Sequence, residues 1–255
     1  MIKKAILYIL CCLTLLTAAI SLAGCKDAAS TESDISVKSP LAGIVGSWRA
    51  DSENGVMVLR VSDDGSYLLL YSFGGSEGGT VRTEKKDGDK QSRFLFYDDS
   101  SDLWAESDFL SDSADKPDEI TLTSDGKKMK FTAIDENQKT PAGDYPGSWQ
   151  CGRCSITISK NGDSYTVDIR WGSSAAESAE WSYICRYDKE TATLICDGNA
   201  KMSDVVYDEN GNKKETVLYS DGSGSFKVRG DVLTWTDNKE NRGNDMIFGR
   251  LPVER

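Results

Sequence analysis

Apolar and polar residues alternate along most of the chain after residue 45, and this alternation limits the possible folds more than any other feature. In the run from Tyr165 to Trp171, for example, every second side chain is apolar. A period of two residues is typical of a β-strand with one buried face. Turn sequences separate such runs, among them Asn161-Gly162, Asn210-Gly211 and Asp221-Gly222, all of which tolerate a positive φ. The sequence therefore predicts an all-β protein of antiparallel up-and-down meanders, without a long helix beyond the N-terminal signal helix.

The predicted strands are short and follow one another about every ten residues. They include residues 91–97, 103–110, 119–123 and 128–133 in the first half, and 191–196, 201–207, 215–220, 225–229, 232–236 and 245–250 in the second. Roughly eight strands in 100 residues suit a closed barrel, which leaves no strand edge exposed. A β-sandwich is the alternative architecture.

An internal repeat divides the chain into two parts. The tripeptide Gly46-Ser47-Trp48 recurs 101 residues later as Gly147-Ser148-Trp149, and an alternating run, a turn and a tyrosine-containing strand follow each copy. A repeat of this kind predicts two related structural units. We therefore expect a first β domain at residues 43–137, a linker at 138–144 and a second β domain at 145–255.

A Gly-x-Trp motif at the start of an eight-stranded meander resembles the calycin group, which includes lipocalins, avidin-like proteins and bacterial lipocalin-like domains. In that group, the tryptophan near the closed end of the barrel packs beneath an arginine from the last strand. The resemblance implies that Trp149 lies beneath Arg250 in the second domain. The first domain has the matching Trp48 but no arginine at the corresponding end, where only Lys128 and Lys130 are basic.

The first 25 residues resemble a bacterial lipoprotein signal. A basic start with Lys3 and Lys4 precedes an apolar stretch of signal-peptide length, and Leu22-Ala23-Gly24-Cys25 follows it. The resemblance implies removal of residues 1–24 and acylation of Cys25, with residues 25–42 as a flexible polar tether. We expect a lipid-anchored protein on the extracytoplasmic side of the cell membrane, with the bilayer as a partner. The alternatives are an uncleaved N-terminal anchor helix and ordinary secretion.

Four cysteines remain in the predicted second domain: Cys151, Cys154, Cys185 and Cys196. An even number of cysteines outside the cytoplasm favours disulfides. If Glu190-Thr191 is the tip of a hairpin, Cys185 lies directly opposite Cys196 at a distance that a disulfide can bridge. Cys151 and Cys154 can close a tight turn as a second disulfide. A zinc site is the alternative, but the ten residues between Cys185 and Cys196 exceed the usual two to four.

Composition excludes several classes of function. The chain has no histidine, which removes Ser-His-Asp and Cys-His catalysis and every histidine metal site. Its 41 acidic and 30 basic residues give a net charge of −11, which disfavours nucleic acid as a partner. The acidic segments 98–102 and 208–212 lack the glycine and glutamate positions of an EF-hand. We expect no metal, no cofactor and no catalytic residues.

These expectations favour a binding protein. Its ligand would be a small apolar molecule within a barrel, or an envelope protein at the rim. The alternative is a structural or inhibitory envelope protein with filled barrels, and a carboxylate-based glycosidase is the remaining enzymatic class. A cavity lined by tyrosine and tryptophan would favour ligand binding, whereas packed interiors would favour the structural role.

Overall fold

The computed structural model describes residues 40–85, 91–110 and 116–252, so the predicted signal and Cys25 lie outside the described residues. The fold is all-β. Its strands are β1 Gly46–Ser52, β2 Gly55–Val61, β3 Ser66–Tyr71, β4 Ser76–Glu84, β5 Arg93–Asp98, β6 Leu103–Leu110, β7 Glu119–Ser124, β8 Lys127–Ala133, β9 Gly147–Cys151, β10 Cys154–Asn161, β11 Ser164–Gly172, β12 Glu177–Asp188, β13 Thr193–Tyr207, β14 Lys213–Arg229, β15 Val232–Asp237 and β16 Ile247–Arg250. A short 3₁₀ helix, Ala142–Asp144, precedes β9.

The first eight strands form one closed antiparallel barrel in which each strand pairs with the next along the chain. The barrel closes between β1 and β8, where Trp48 is opposite Ala133 and Arg49 is opposite Thr132. The last eight strands form a second closed barrel. It closes between β9 and β16, where Arg250 is opposite Trp149. The prediction of two eight-stranded up-and-down barrels is therefore confirmed, and the sandwich alternative is wrong.

The strand boundaries in the second barrel differ from the prediction. Residues 191–196 and 201–207 were expected as two strands but belong to the single strand β13 of 15 residues. A bulge interrupts its pairing with β12, and there the side-chain amide of Asn199 replaces the ladder bonds. Its Oδ1 accepts from the backbone N–H of Ile184 at 3.1 Å, and its Nδ2 donates to the Ile184 carbonyl at 2.8 Å.

The same correction applies to β14. The segments 215–220 and 225–229 form one strand of 17 residues, and Asp221-Gly222 lies inside it instead of forming a turn. Gly222 is opposite Ala200 on β13, where the register shifts. Each of the two mergers replaces two predicted strands by one, and the second barrel has eight strands, β9 to β16.

Aromatic side chains fill both barrel interiors. In the first barrel the fully buried rings are Trp48, Phe94, Phe96 and Phe131. In the second they are Tyr145, Trp149, Tyr165, Tyr183, Phe226, Trp235 and Phe248. In the second barrel Tyr183 and Phe226 are edge-to-face, with ring centroids 5.3 Å apart, whereas Phe94 of the first barrel stacks on Phe109 at 5.9 Å. Both arrangements are favourable for aromatic pairs.

The two barrels pack against each other through an apolar cluster: Val56, Val58, Leu70, Ile134, Val232 and Ile247. The barrels together form one compact unit. The segment predicted as a linker is bonded to the second barrel, since the Thr140 hydroxyl donates to the Val228 carbonyl at 2.7 Å and the Tyr165 hydroxyl donates to the Ala142 carbonyl at 2.9 Å. The two copies of the repeat therefore form two barrels that share one apolar interface.

Candidate functional site: a cleft at the rim of the second barrel

The predicted pair at the closed end of the second barrel is Trp149 and Arg250. The indole is fully buried, and the Arg250 guanidinium carbon lies 4.0 Å from its ring centroid. The guanidinium also donates to the backbone carbonyls of Pro146, at 2.9 Å, and Asp144. The indole Nε1 donates to the Tyr145 carbonyl at 3.2 Å. The Arg250 side chain thus covers the indole of Trp149 and holds Asp144 and Pro146, which precede β9, by hydrogen bonds.

The first barrel has the same arrangement with a different cation. The ammonium of Lys116 lies 4.7 Å from the ring centroid of Trp48, whose Nε1 donates to the Ile44 carbonyl at 2.8 Å. Burial lowers the pKa of Lys116. Lys128 and Lys130, the basic residues considered from the sequence, lie on β8, where Lys130 pairs with Glu119 at 2.7 Å. Lys116 was not predicted because it precedes β7 and no local pattern connects it with Trp48.

The glycine of each Gly-Ser-Trp motif makes room for the cation. Gly46 has φ +120° and Gly147 has φ +131°, a region that favours glycine. A Cβ atom on Gly46 would lie 2.5 Å from the Lys116 Nζ, and one on Gly147 would lie 2.9 Å from the Arg250 Nη1. The repeated motif therefore has a structural role at the closed ends of the barrels.

The cysteines divide into one disulfide and two thiols. Cys185 and Cys196 are joined, with Cα atoms 4.3 Å apart, and the neighbouring pair Arg186–Ile195 has the register expected for a hairpin tip at residues 190–191. Cys151 and Cys154 are opposite each other on β9 and β10 but are free and buried. The structure therefore corrects the prediction of a second disulfide between Cys151 and Cys154.

The Cys151 thiol contacts the first barrel, where its Sγ donates to the Tyr71 carbonyl at 3.7 Å. Burial raises the pKa of both thiols, that of Cys154 to about 12. Because the thiolate is the reactive form, these cysteines are poor nucleophiles at neutral pH.

A cleft of about 1060 Å³ lies at the rim of the second barrel, where the first barrel contacts it. One wall is the β3–β4 hairpin with Phe73 and Gly74, which packs on the turn at Gly152. The Gly152 N–H donates to the Ser72 carbonyl at 2.9 Å. The other walls come from β12, β13, β14 and the segment that precedes β16.

The inside of the cleft has polar and apolar parts, and aromatic rings belong to the apolar part. The indole of Trp181 packs edge-to-face on Trp235 at 5.2 Å, and its Nε1 donates to the Tyr219 hydroxyl at 3.0 Å. Three large apolar side chains of the lining are solvent-exposed: Phe73 (42%), Val206 (43%) and Leu218 (51%). Exposed apolar side chains grouped around one cleft are typical of a binding surface.

Charged residues surround the apolar part, and their balance is acidic. The Arg153 guanidinium donates to the carbonyls of Gly172, at 2.6 and 2.8 Å, and Ser173, and Arg242 donates to the Glu240 carboxylate at 3.2 Å. Both arginines therefore already have acceptors. Glu177, Asp204 and Asp245 also line the cleft, and they form no ion pair within the described part of the chain. Their carboxylates are available to a cationic ligand.

The position of this cleft changes the binding hypothesis. Large rings occupy the barrel interiors, so the space for a ligand lies outside them, at the rim. Gly74 and Gly75 form the turn between β3 and β4, and Gly78 and Gly79 lie in β4. Since the cleft forms only where the barrels meet, no local pattern could have identified it.

Acidic turns and metal ligands give no further site. The Asp98 carboxylate accepts the N–H groups of Ser100 and Asp102, both at 2.9 Å, and Asp208 does the same for Asn210 and Asn212 at 2.9 and 2.8 Å. These carboxylates close turns. Across residues 40–85, 91–110 and 116–252, no group of three or more acidic or cysteine side chains is arranged to hold a metal ion. The same ranges contain no helix of sufficient length and apolarity to span a bilayer.

Comparison with known proteins gives no relative. No family model, no curated protein and no solved structure matches the chain.

Proposed function

We propose that the protein is a lipid-anchored binding protein of the extracytoplasmic membrane face, and that its ligand places an apolar part in the cleft at the rim of the second barrel. The supporting observation is the exposure of Phe73, Val206 and Leu218 around one concave surface of about 1060 Å³. Covering these side chains removes apolar area from water, which is the main source of binding free energy in such clefts.

Anchoring follows from the resemblance of residues 1–25 to a lipoprotein signal. Acylation of Cys25 would fix the protein to the bilayer, and the polar segment after it would separate the barrels from the membrane surface. The predicted end of this tether at residue 42 is corrected, because the Leu41 side chain is buried in the core of the first barrel. Replacement of Cys25 by serine should then leave an unprocessed precursor without lipid. A processed and acylated Cys25→Ser variant would contradict the anchor.

The second candidate is a structural envelope protein, which the filled barrel interiors favour. The two candidates differ in one measurable property. A binding protein uses the cleft, whereas a structural protein has no need of it.

The test uses the chain from residue 26, because the barrels form a compact unit that starts at Lys38. The neutral fluorophore N-phenyl-1-naphthylamine serves as the probe, and its fluorescence should rise on binding. The double variant Phe73→Ser/Leu218→Ser should bind the probe about tenfold more weakly, because it removes two apolar side chains from the cleft.

Leu103→Ser provides the matched control, since Leu103 is 55% exposed on the first barrel and does not line the cleft. It should bind the probe like the unmodified chain. Equal affinity of the double variant and the control would exclude the cleft as the binding site and would favour the structural candidate.

A further inference from the structure

A smaller pocket lies between the two barrels, and we call it the interface pocket. Its volume is about 390 Å³. Residues of β1 and β2 line it from the first barrel, and residues of β14, β15 and β16 line it from the second. Its floor is apolar and belongs to the cluster that joins the barrels: Val58, Ile134, Val232 and Ile247. Ile247 is the one lining residue that this pocket shares with the cleft.

Strand alternation places three basic side chains in the interface pocket. Arg60 follows Leu59, which is buried in the core of the first barrel. Lys227 and Arg229 flank Val228, which is buried in the core of the second barrel. Neighbouring residues of a strand face opposite sides of the sheet. The period that fills the barrels with apolar residues therefore places these three cations on the outer surfaces, where they line the pocket.

Arg229 is a buried cation that has no carboxylate partner among the described residues. Only 8% of Arg229 is exposed. Its guanidinium donates to the backbone carbonyls of Glu136 at 3.4 Å, Ala192 at 3.5 Å, Val228 at 2.7 Å and Thr191 at 3.0 Å. These neutral acceptors hold the guanidinium in place but do not compensate its charge. Because a buried charge is costly without an opposite charge, an anion beside it would be stabilised.

Arg60 and Lys227 provide free donors. Both residues are half-buried, and within residues 40–85, 91–110 and 116–252 neither side chain forms a hydrogen bond or an ion pair. Ser47 lies opposite Arg60 on β1 and also lines the pocket. Donors therefore face the same space from both barrels.

The acidic residues near the pocket do not balance these cations. Glu136 is the one acidic residue of the lining, and it is exposed. Its carboxylate also raises the pKa of Lys116, whose burial lowers it, so part of its field acts outside the pocket. Asp231 lines a separate depression with Arg250. Three cations and one carboxylate leave the lining positive in a chain of net charge −11, and a positive pocket attracts anions.

We propose that the interface pocket binds a small organic phosphate monoester. Its phosphate group has two negative charges and accepts hydrogen bonds from Arg60 and Lys227, while Arg229 adds a fixed positive charge. Donors on two facing walls suit a tetrahedral phosphate better than a planar carboxylate. The organic part lies on the apolar floor, and the volume of the pocket suits a small molecule. This site is separate from the cleft of the proposed function and adds a second ligand.

Isothermal titration calorimetry of the chain from residue 26 tests this site at neutral pH, with phenyl phosphate as the probe. Phenyl phosphate should bind, and its affinity should fall as salt rises. Benzyl alcohol and the phenyltrimethylammonium cation have a similar ring without the negative charge. Each should bind at least about tenfold more weakly than phenyl phosphate. Equal affinity for phenyl phosphate and benzyl alcohol would overturn the proposal.

Protein variants locate the binding site. Arg60→Gln/Lys227→Gln removes both free cations and should weaken phenyl phosphate binding at least about tenfold. The control Lys160→Gln/Arg186→Gln changes net charge equally at exposed positions outside the pocket and should bind like the unmodified chain. Glu136→Gln should strengthen binding about twofold, because it removes the carboxylate of the lining. Unchanged affinity of the first variant, or weaker binding to Glu136→Gln, would contradict the proposal.

A further variant keeps the test valid if the double variant does not fold, which circular dichroism would show. Arg60→Lys retains the charge and should bind phenyl phosphate within about threefold of the unmodified chain. Together with Glu136→Gln at its exposed position, it still decides whether charge in this pocket controls binding. Loss of binding to Arg60→Lys, in a folded protein, would contradict the proposed role of the charge.

Two competing locations and sources are tested separately. Phenyl phosphate should not displace N-phenyl-1-naphthylamine from the cleft, and displacement would place the phosphate in the cleft and overturn the proposal. Phosphatidylglycerol has a phosphodiester with one charge, so vesicles that contain it should not retain the chain from residue 26. Retention that Arg60→Gln/Lys227→Gln abolishes would identify a lipid headgroup as the ligand and overturn the monoester. Failure of the fluorophore to bind concerns the cleft alone.

Discussion

Replacing Gly147 by alanine tests the reason for the repeated Gly-Ser-Trp motif. Gly147 has φ +131°, and an added Cβ would lie 2.9 Å from the Arg250 Nη1. The substitution therefore imposes two separate costs. One is backbone strain, and the other is displacement of the guanidinium from Trp149, above which it lies at 4.0 Å.

The contacts allow both costs to be calculated. An alanine in this region of φ costs about 1.5 kcal/mol. Displacing Arg250 loses a cation–π contact of about 0.5 to 1 kcal/mol and two exposed hydrogen bonds, together about 2 kcal/mol. Gly147→Ala should thus lower the free energy of unfolding by about 3.5 kcal/mol, and Arg250→Ala by about 2 kcal/mol. The double variant should lose about 3.5 kcal/mol and not the sum of about 5.5, because the guanidinium can be lost only once.

Urea unfolding followed by tryptophan fluorescence and by circular dichroism measures these values. Gly143→Ala is the matched control, since no atom lies within 4 Å of its added Cβ and its φ is outside the left-handed region. It should not lower stability. The reasoning is refuted if the costs of Gly147→Ala and Arg250→Ala are additive to within about 0.3 kcal/mol.

Three further predictions concern the rest of the fold. Cys185→Ser/Cys196→Ser should lower the free energy of unfolding by about 3 kcal/mol, since the disulfide closes a short loop, and a shift of the urea midpoint measures this. Burial raises the pKa of Tyr67 and Cys154 to about 12 from ordinary values of 10.0 and 9.0. Between about pH 9 and 12 the unfolded chain therefore binds fewer protons than the folded chain, so the free energy of unfolding should fall as the pH rises. Urea midpoints that do not change over this range would contradict this prediction. Asp237 is fully buried and its carboxylate accepts three backbone N–H groups, so Asp237→Ala should cost about 2 to 4 kcal/mol in the same assay.

The alternation of apolar residues was enough to predict the architecture, because a period of two specifies a strand and tight turns specify antiparallel neighbours. It also gave the register of the hairpin that joins Cys185 to Cys196. The alternation did not predict the bulges of the second barrel, because polar residues such as Asp197-Gly198-Asn199 have the composition of a turn. Only the three-dimensional contact of Asn199 with the Ile184 backbone makes the strand continuous.

The cleft was not predictable for a related reason. A side chain that faces a barrel interior and one that faces a cleft at the rim have the same period along the strand, as Trp235 and Trp181 illustrate. The Cys151 thiol was assigned to a disulfide because its neighbour Cys154 is evident in the sequence, whereas its contact with Tyr71 joins residues 80 positions apart. Long-range contacts of this kind depend on how the two barrels pack.

Strand length distinguishes the second barrel, at whose rim the cleft lies, from the first. The longest strand of the first barrel has 9 residues, whereas β14 has 17, and β15, its partner on one side, has only 6. β15 pairs with only the last six residues of β14, whereas β13 continues beside β14 to Lys213. The side chains of Val206 and Leu218 are exposed in this longer part of β13 and β14. The bulges that lengthen β13 and β14 are thus the sequence features from which the cleft arises, and the first barrel contributes the Phe73 hairpin that closes one side of it.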